Sequence, residues 1–207
     1  MTKLILVRHG HVEGIKPERL RGRRDLPLTA QGNVEAEAVA RRIARSWRPR
    51  HVYTSPLARC VATGAAIAQA CGVPATAFAA LNDIHYGAWE FVSYADLQRA
   101  EPALFAAWFA TPQLVRFPEG ESLQDVAARA ADFLRFVLAR HADETVVAVA
   151  HDSVNRVLLL QLLDMPLSCY WRLAQEPCCI NEIDIARDRI LVRRINETGH
   201  LGPADAA

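Results

Sequence analysis

No charge excess marks this chain. Its 24 lysine and arginine residues face 23 aspartate and glutamate, for a formal net charge of +1. General nucleic-acid and membrane-surface binders need a larger basic excess, so both kinds of partner are excluded and any affinity for anions must be local. Long hydrophobic runs are missing too. The longest late one, inside "VNRVLLLQLL", falls well short of the ~20 residues that span a bilayer. The start, "MTKLILVRHG", has too short an apolar stretch for a secretory leader, and no small-residue cleavage site follows it. Cysteine is sparse, with five residues, an odd number, of which Cys178 and Cys179 are adjacent and none forms a CxxC pair. That pattern suits neither a disulfide framework nor a paired-cysteine metal site, and it points to the reducing cytoplasm. Internal repeats and low-complexity segments are absent as well.

What the chain does hold is apolar residues in a regular alternation. At 207 residues, 51% hydrophobic and 23% charged, it suits one globular domain over residues 1–207. "KLILV", "HVYTS" and "TVVAVAH" read as strands. "LTAQGNVEAEAVARRIARSW" reads as a helix opened by Thr29, and "PLARCVATGAAIAQACG" as one capped by Ser55, with Pro56 first and Gly72 as its stop. "SLQDVAARAADFLRFVLARHA" is a long amphipathic helix behind Ser122, and "SVNRVLLLQLL" is another. "INEIDI-ARDR-ILVRRI" predicts an antiparallel hairpin, and the final "GHLGPADAA" is expected to fray. Continuous aliphatic strands alternating with helices predict an α/β fold, a three-layer α/β/α sandwich around a mostly parallel sheet. Residues 82–121 are less regular and read as an insert over one end of the sheet, with "ADLQRAEPALFAAWFATP" as one aromatic-rich helical segment.

In an open parallel sheet, ligands bind beyond the carboxyl ends of the strands. The first strand ends in Arg8-His9, the second leads through Ser55-Pro56 to Arg59, and the third ends at His151. Each residue alone reads as an ordinary strand end, surface charge or structural histidine. Together, at three matching topological positions, they predict a compact cationic pocket whose natural guest is a phosphate.

The blocks "LVRHG", "RGRRDLPLTAQG", "YTSPLARCVATG", "LNDIHYGAWE", "PEGESLQDVAAR" and "VAVAHDSVNRVLL" occur here in an order that resembles the histidine phosphatase superfamily, in its phosphoglycerate mutase-like branch. The resemblance runs from about residue 3 to residue 195. It implies a phosphoglycerate mutase-like three-layer fold and catalysis through a phosphohistidine. His9 matches the nucleophile, and Arg8, Arg59 and His151 match the other members of the phosphate pocket. The acidic proton donor falls on Asp83, where the family mostly has glutamate. Asp152 is the alternative acid. It stands where this branch usually has glycine, and where the distant acid-phosphatase branch has its donor aspartate. Asp83 is placed ahead on its matching position, although it is one methylene shorter than glutamate, and a helix cap is the plain reading of Asp152. Gly22 and Tyr86 are the candidate substrate contacts.

The chemistry is coherent on its own terms. An imidazole attacking phosphorus needs one free ring nitrogen and the other held against a fixed acceptor. Neighbouring arginines lower its pKa and hold the equatorial phosphoryl oxygens. A carboxylic acid then protonates the leaving alkoxide, and no metal or other cofactor is called for.

Against the mutases, Ile84 replaces an arginine that grips phosphoglycerate, and Ile15 falls where the family has a phosphate-contacting asparagine. A mutase must rebind its intermediate in reversed orientation, which needs more anion contacts than this chain keeps. Hydrolysis of a small phosphorylated metabolite is therefore expected. Mutase-type transfer is the alternative, and a non-catalytic phosphate-binding relative is the weaker one. Trp89, Phe105, Trp108 and Phe109 read as core ahead of a pocket rim. Arg19, Arg21, Arg23 and Arg24 each read as solvated ahead of binding a second anionic group. The hairpin and the apolar middle helix leave homodimer formation open.

Overall fold

The computed structural model describes residues 1–202. Six strands form one sheet in the order β3-β2-β4-β1-β5-β6. They are β1 (Thr2–Arg8), β2 (His51–Thr54), β3 (Ala75–Ala77), β4 (Thr145–Ala150), β5 (Ile180–Ile185) and β6 (Ile190–Glu197). β1, β2, β3 and β4 run parallel, whereas β5 is antiparallel to β1 and β6 to β5. β1 lies centrally because its run is apolar on both faces. Leu4 and Leu6 point into one core and Ile5 and Val7 into the other. The second core is closed by α1 (Ala30–Ser46) and α2 (Ala58–Cys71), through Val39, Ile43 and Ile67. The first is closed by α5 (Leu123–Arg140) and α6 (Asp152–Leu162), with Val126, Phe133, Val157 and Leu158. The expected three layers are present. No helix among the described residues is long and apolar enough to cross a membrane.

Several helix ends follow their sequence signals. Thr29 accepts from the Gly32 amide, Ser122 and Asp125 form a reciprocal capping box, and Gly72 closes α2 with φ 66°. Elsewhere the structure departs from expectation. Ser55 is not the cap of α2. Its amide still joins the ladder on Val149, and the helix begins only at Ala58, whose amide is taken by Asp25 from a distant loop. Asp152 is not a cap either, since His151 holds the cap position and Asp152 is the first helical residue. The expected single middle helix is two, α3 (Tyr94–Ala100) and α4 (Pro102–Ala110). Pro102 pushes Glu101 out of helical geometry, and Glu101 instead accepts from the Trp89 indole at 2.9 Å. β3 carried no apolar signal, because all three of its residues are exposed. The expected fraying fails at Gly199–Leu201, a short turn whose Leu201 packs on the second core. Residues 203–207 lie outside the described residues.

The segment 82–121 packs into the first core rather than standing apart from it. Trp89, Trp108 and Phe117 are buried there together with Leu4 and Leu6, so the two tryptophans are core and offer no rim. Phe109 is the exposed member of the group and stacks on Trp171, ring centroids 5.0 Å apart.

Candidate active site

Three strand ends converge as their positions required. His9 continues β1 by one step, its amide donating to the Ala150 carbonyl at 3.0 Å, and His151 follows β4 directly. The two rings meet edge to face with centroids 5.1 Å apart. The Nδ1 of His9 lies 2.7 Å from the Gly10 carbonyl oxygen, which can only accept, so Nδ1 carries the proton and Nε2 keeps its lone pair. Burial, reinforced by the charges of Arg59 and Arg8, holds the His9 pKa well below the ordinary histidine value. His151 is displaced the same way, by burial and then by Arg59. Its Nδ1 accepts from Arg59 Nε at 3.3 Å, and its Nε2 faces the Ser55 hydroxyl at 2.8 Å. Both imidazoles are neutral near pH 7.

Gly10 serves its neighbour in the fold rather than an anion. A Cβ there would lie 2.5 Å from the Gly32 carbonyl oxygen, so α1 packs directly on the turn after the strand.

The two arginines are held differently. Arg59 is fully buried with its donors engaged. Nη1 donates to the Arg24 carbonyl at 2.8 Å, and Nη2 donates to the Gly22 carbonyl at 2.7 Å and to Asp83 Oδ2 at 3.2 Å. Arg8 is fixed by Nη1 on the Gln175 carbonyl, and Gln175 is held in turn by Asn155 and Asn181. The Arg8 Nε is buried without a partner among the described residues. This is an open donor in a pocket of positive charge, and a phosphate oxygen would satisfy it.

Asp83 sits against this pair. Its Oδ2 is 3.4 Å from His151 Nδ1, and its Oδ1 accepts from the Ser153 hydroxyl and from the Ile84 amide at 2.9 Å. Burial raises its pKa in spite of Arg59, and the nearby Asp152 carboxylate adds to the rise. Asp152 goes the other way. Burial pushes its carboxyl up, but Arg8, Arg156 and Arg21 together bring it below the ordinary aspartate value. The two acids therefore differ in the sense that separates a proton donor from a permanent anion.

The backbone beneath Asp83 is clamped. Arg23 Nε and Arg129 Nη2 both donate to its carbonyl, at 3.2 and 3.1 Å, and Glu121 bridges the two guanidinium groups at 2.8 and 3.2 Å. Glu121 also accepts the His85 amide at 2.9 Å. Gly22 and Tyr86 come to the same place. Gly22 has φ 48°, and a Cβ there would lie 2.9 Å from the Tyr86 ring. Ile84 is fully buried in the first core and presents no charge to the cleft.

Sequence reasoning missed Ser55 and Ser153 as partners of His151 and Asp83. In the sequence Ser55 reads as a helix cap, and Ser153 only as the opening residue of a helix. The clamp of Arg23, Glu121 and Arg129 was missed as well, and its only signal was the position of those residues inside recognised blocks. The aromatic residues at helical spacing in 95–112 added none. Among the described residues, no three His, Cys, Asp or Glu side chains group as a metal site.

Comparison with known proteins agrees with this geometry. The sequence profile of the histidine phosphatase superfamily (branch 1) matches residues 4–198. Phosphoserine phosphatase 1 of Hydrogenobacter thermophilus is 32% identical over 202 residues, covering 98% of this chain and 95% of that one. The probable phosphoglycerate mutase GpmB of Salmonella arizonae is 31% identical over 206 residues, covering 97% and 95%. The solved structure of YhfR from Bacillus stearothermophilus superposes with a TM-score of 0.91 at 26% identity, covering 97% of this chain and 100% of that one. A cleft built from the family's blocks, on a chain matched by its profile almost end to end, leaves one assignment: this protein belongs to the histidine phosphatase superfamily, the enzymes of phosphoryl hydrolysis and transfer.

Proposed function

We propose that the chain hydrolyses small phosphomonoesters through a phosphohistidine on His9, with Asp83 as the proton donor. The observation that carries this reading is the His9–Gly10 hydrogen bond, which leaves the buried ring neutral with Nε2 free. The Nε2 lone pair attacks phosphorus as the ester P–O bond breaks, and Asp83 gives its proton to the leaving oxygen. Water then attacks the phosphohistidine, Asp83 takes the water's proton, and inorganic phosphate leaves with His9 restored. Arg8 Nε takes one equatorial oxygen, Arg59 and His151 exchange a present partner (Asp83, Ser55) for the others, and the two guanidinium groups supply the positive charge that the transition state needs. Gly22 and Tyr86 stand by the leaving group.

Hydrolysis is favoured over transfer because Ile84, fully buried, withholds the extra cation a mutase uses. The whole chain is read as one domain whose segment 82–121 covers the site. A reducing cytoplasm belongs to the same proposal. All five cysteines are free thiols, and four of them are buried.

The test is turnover of p-nitrophenyl phosphate and alkyl phosphates by wild type and His9→Ala, each with and without a chelator. The expected result is His9-dependent, chelator-insensitive phosphate release. Activity that survives His9→Ala, or that chelation abolishes, sinks the mechanism. Exchange between phosphoglycerate positions faster than phosphate release would establish the mutase reading suggested by the GpmB likeness.

A further inference from the structure

Arg8 is a buried cation with one side-chain hydrogen bond among the described residues, from Nη1 to the Gln175 carbonyl. A guanidinium is planar and rigid, so whatever fixes Nη1 also fixes the direction of the unpartnered Nε–H. The aim of that free donor is therefore only as good as the hold on Gln175.

That hold is a pair of buried side-chain amides. Gln175 is 2% exposed, and Asn181 on β5 is fully buried. Gln175 Nε2 donates to Asn181 Oδ1 at 2.8 Å, and Asn181 Nδ2 donates back to Gln175 Oε1 at 2.9 Å. Backbone on both sides dictates this orientation. Asn181 Nδ2 also donates to the Leu6 carbonyl at 3.0 Å, which can only accept. Asn181 Oδ1 takes the Asn196 amide at 2.9 Å, which can only donate. A third amide, Asn155 on α6, reaches Gln175 Oε1 at 3.2 Å. The circuit closes on one strand, because β1 anchors Asn181 at Leu6 and meets Gln175 again through Arg8. Cys178 returns to the same strand end, its amide donating to the carbonyls of Arg8 and His9 at 3.1 and 3.3 Å.

The arrangement costs stability. Cys178 sits at φ 52°, in the left-handed region that a residue with a Cβ rarely takes. Asn155 Oδ1 is buried with no partner among the described residues. Apolar side chains of similar shape would fill these positions with no hydrogen bonds to satisfy. A buried polar network that stability does not require has its use in what it orients.

We propose that Gln175 and Asn181 are positioning residues for catalysis, their paired amides setting the Gln175 carbonyl that aims the Arg8 Nε–H at the transferring phosphoryl group. The assignment rests on the phosphomonoesterase reading and extends it to residues that never touch the substrate. Its physical content is preorganisation. A donor already aimed needs no reorganisation at the moment of reaction, whereas a guanidinium free to swing must first be ordered.

The test is a double-mutant cycle between Asn181→Leu and Arg8→Met. It is read as calorimetric affinity for orthovanadate, which adopts the trigonal-bipyramidal geometry of phosphoryl transfer, and as kcat/KM on p-nitrophenyl phosphate. With Arg8 present, Asn181→Leu should weaken vanadate binding and lower kcat/KM by about tenfold or more. In the Arg8→Met background the same substitution should change either by less than about twofold. Gln175→Met repeats the cycle, so that failure of one amide variant to fold leaves the other to decide. Urea midpoints are followed alongside, since a merely structural role would lower them in both backgrounds and leave no coupling to Arg8. Affinity within about twofold of wild type in both amide variants, or an equal loss with and without Arg8, overturns the positioning role. Unchanged vanadate affinity in Arg8→Met would overturn the phosphate pocket, and the amide role with it. Turnover persisting in His9→Ala would overturn the phosphohistidine reading instead, and the coupling in vanadate affinity would still decide the role of the amides.

Discussion

At the scale of single residues, the site is a division of labour between groups of the same type. Two histidines are both pushed toward neutrality, but only His9 has a ring nitrogen tied to an obligate acceptor and the other left free. Two aspartates are pushed apart, Asp83 up and Asp152 down. An acid whose pKa is raised keeps its proton to higher pH, so hydrolysis of alkyl phosphates should fall as pH rises through the Asp83 pKa. p-Nitrophenyl phosphate, whose phenolate leaves unaided, should lack that limb. By the same reasoning, Asp83→Asn should slow alkyl phosphates by about 10²–10⁴-fold and p-nitrophenyl phosphate far less, as steady-state kcat on both substrates will show. A uniform loss on both, with the contrast appearing in Asp152→Asn, would reverse the assignment. That Arg8, His9, Arg59 and His151 meet was legible in the sequence, because strand ends of a parallel sheet share one edge. That Ser55 faces His151 and Ser153 faces Asp83 was not, because a serine beside a helix start reads as a cap until its partner is seen.

At the scale of elements, tight contacts without apolar signal decide where the site residues stand. Gly10 and Gly32 form one such contact. A Cβ on Gly32 would lie 2.1 Å from the His11 carbonyl oxygen, as one on Gly10 would crowd Gly32. Backbone cannot yield as a flexible side chain does, so Gly32→Ala should cost about 1–3 kcal/mol, read as a lowered urea midpoint with an unchanged m-value. Because the pressure falls on the turn that carries His9, kcat should drop with it. The Glu121 clamp is the second case. Glu121→Ala leaves Arg23 and Arg129 without their shared carboxylate and should cost about 1–3 kcal/mol in urea unfolding. It also frees the 80–85 backbone, so kcat on alkyl phosphates should fall more than kcat on p-nitrophenyl phosphate. Sequence pattern revealed the helices that these contacts join, since amphipathic spacing and the Thr29 and Ser122 caps are local signals. It did not reveal the break at Pro102 within the aromatic-rich segment, or β3, whose three residues bury nothing.

At the scale of the whole molecule, a sheet with two dry faces delivers its charged strand ends into one cleft, and the cleft's protonation becomes a property of global stability. His9 and His151 are buried neutral, with pKa values well below the ordinary 6.5. In the unfolded chain both protonate near 6.5, while in the folded chain they do not. Between the unfolded and folded values the unfolded state binds more protons, so stability is fully present above about pH 6.5 and declines as pH falls below it. With both histidines titrating only when unfolded, the slope approaches about 2.7 kcal/mol per pH unit, and a single histidine gives about half that. Asp83 runs opposite in sign. Its raised pKa means the folded state holds the proton longer, so its ionisation takes stability away as pH rises above the ordinary aspartate value. Urea unfolding of wild type, His9→Asn and Asp83→Asn across pH 5 to 8 separates the contributions. His9→Asn should halve the acid-side slope, and Asp83→Asn should be more stable than wild type at pH 7 while releasing less phosphate from alkyl esters. An unchanged acid-side slope in His9→Asn would mean that His9 is protonated in the folded cleft, and a protonated imidazole cannot attack phosphorus.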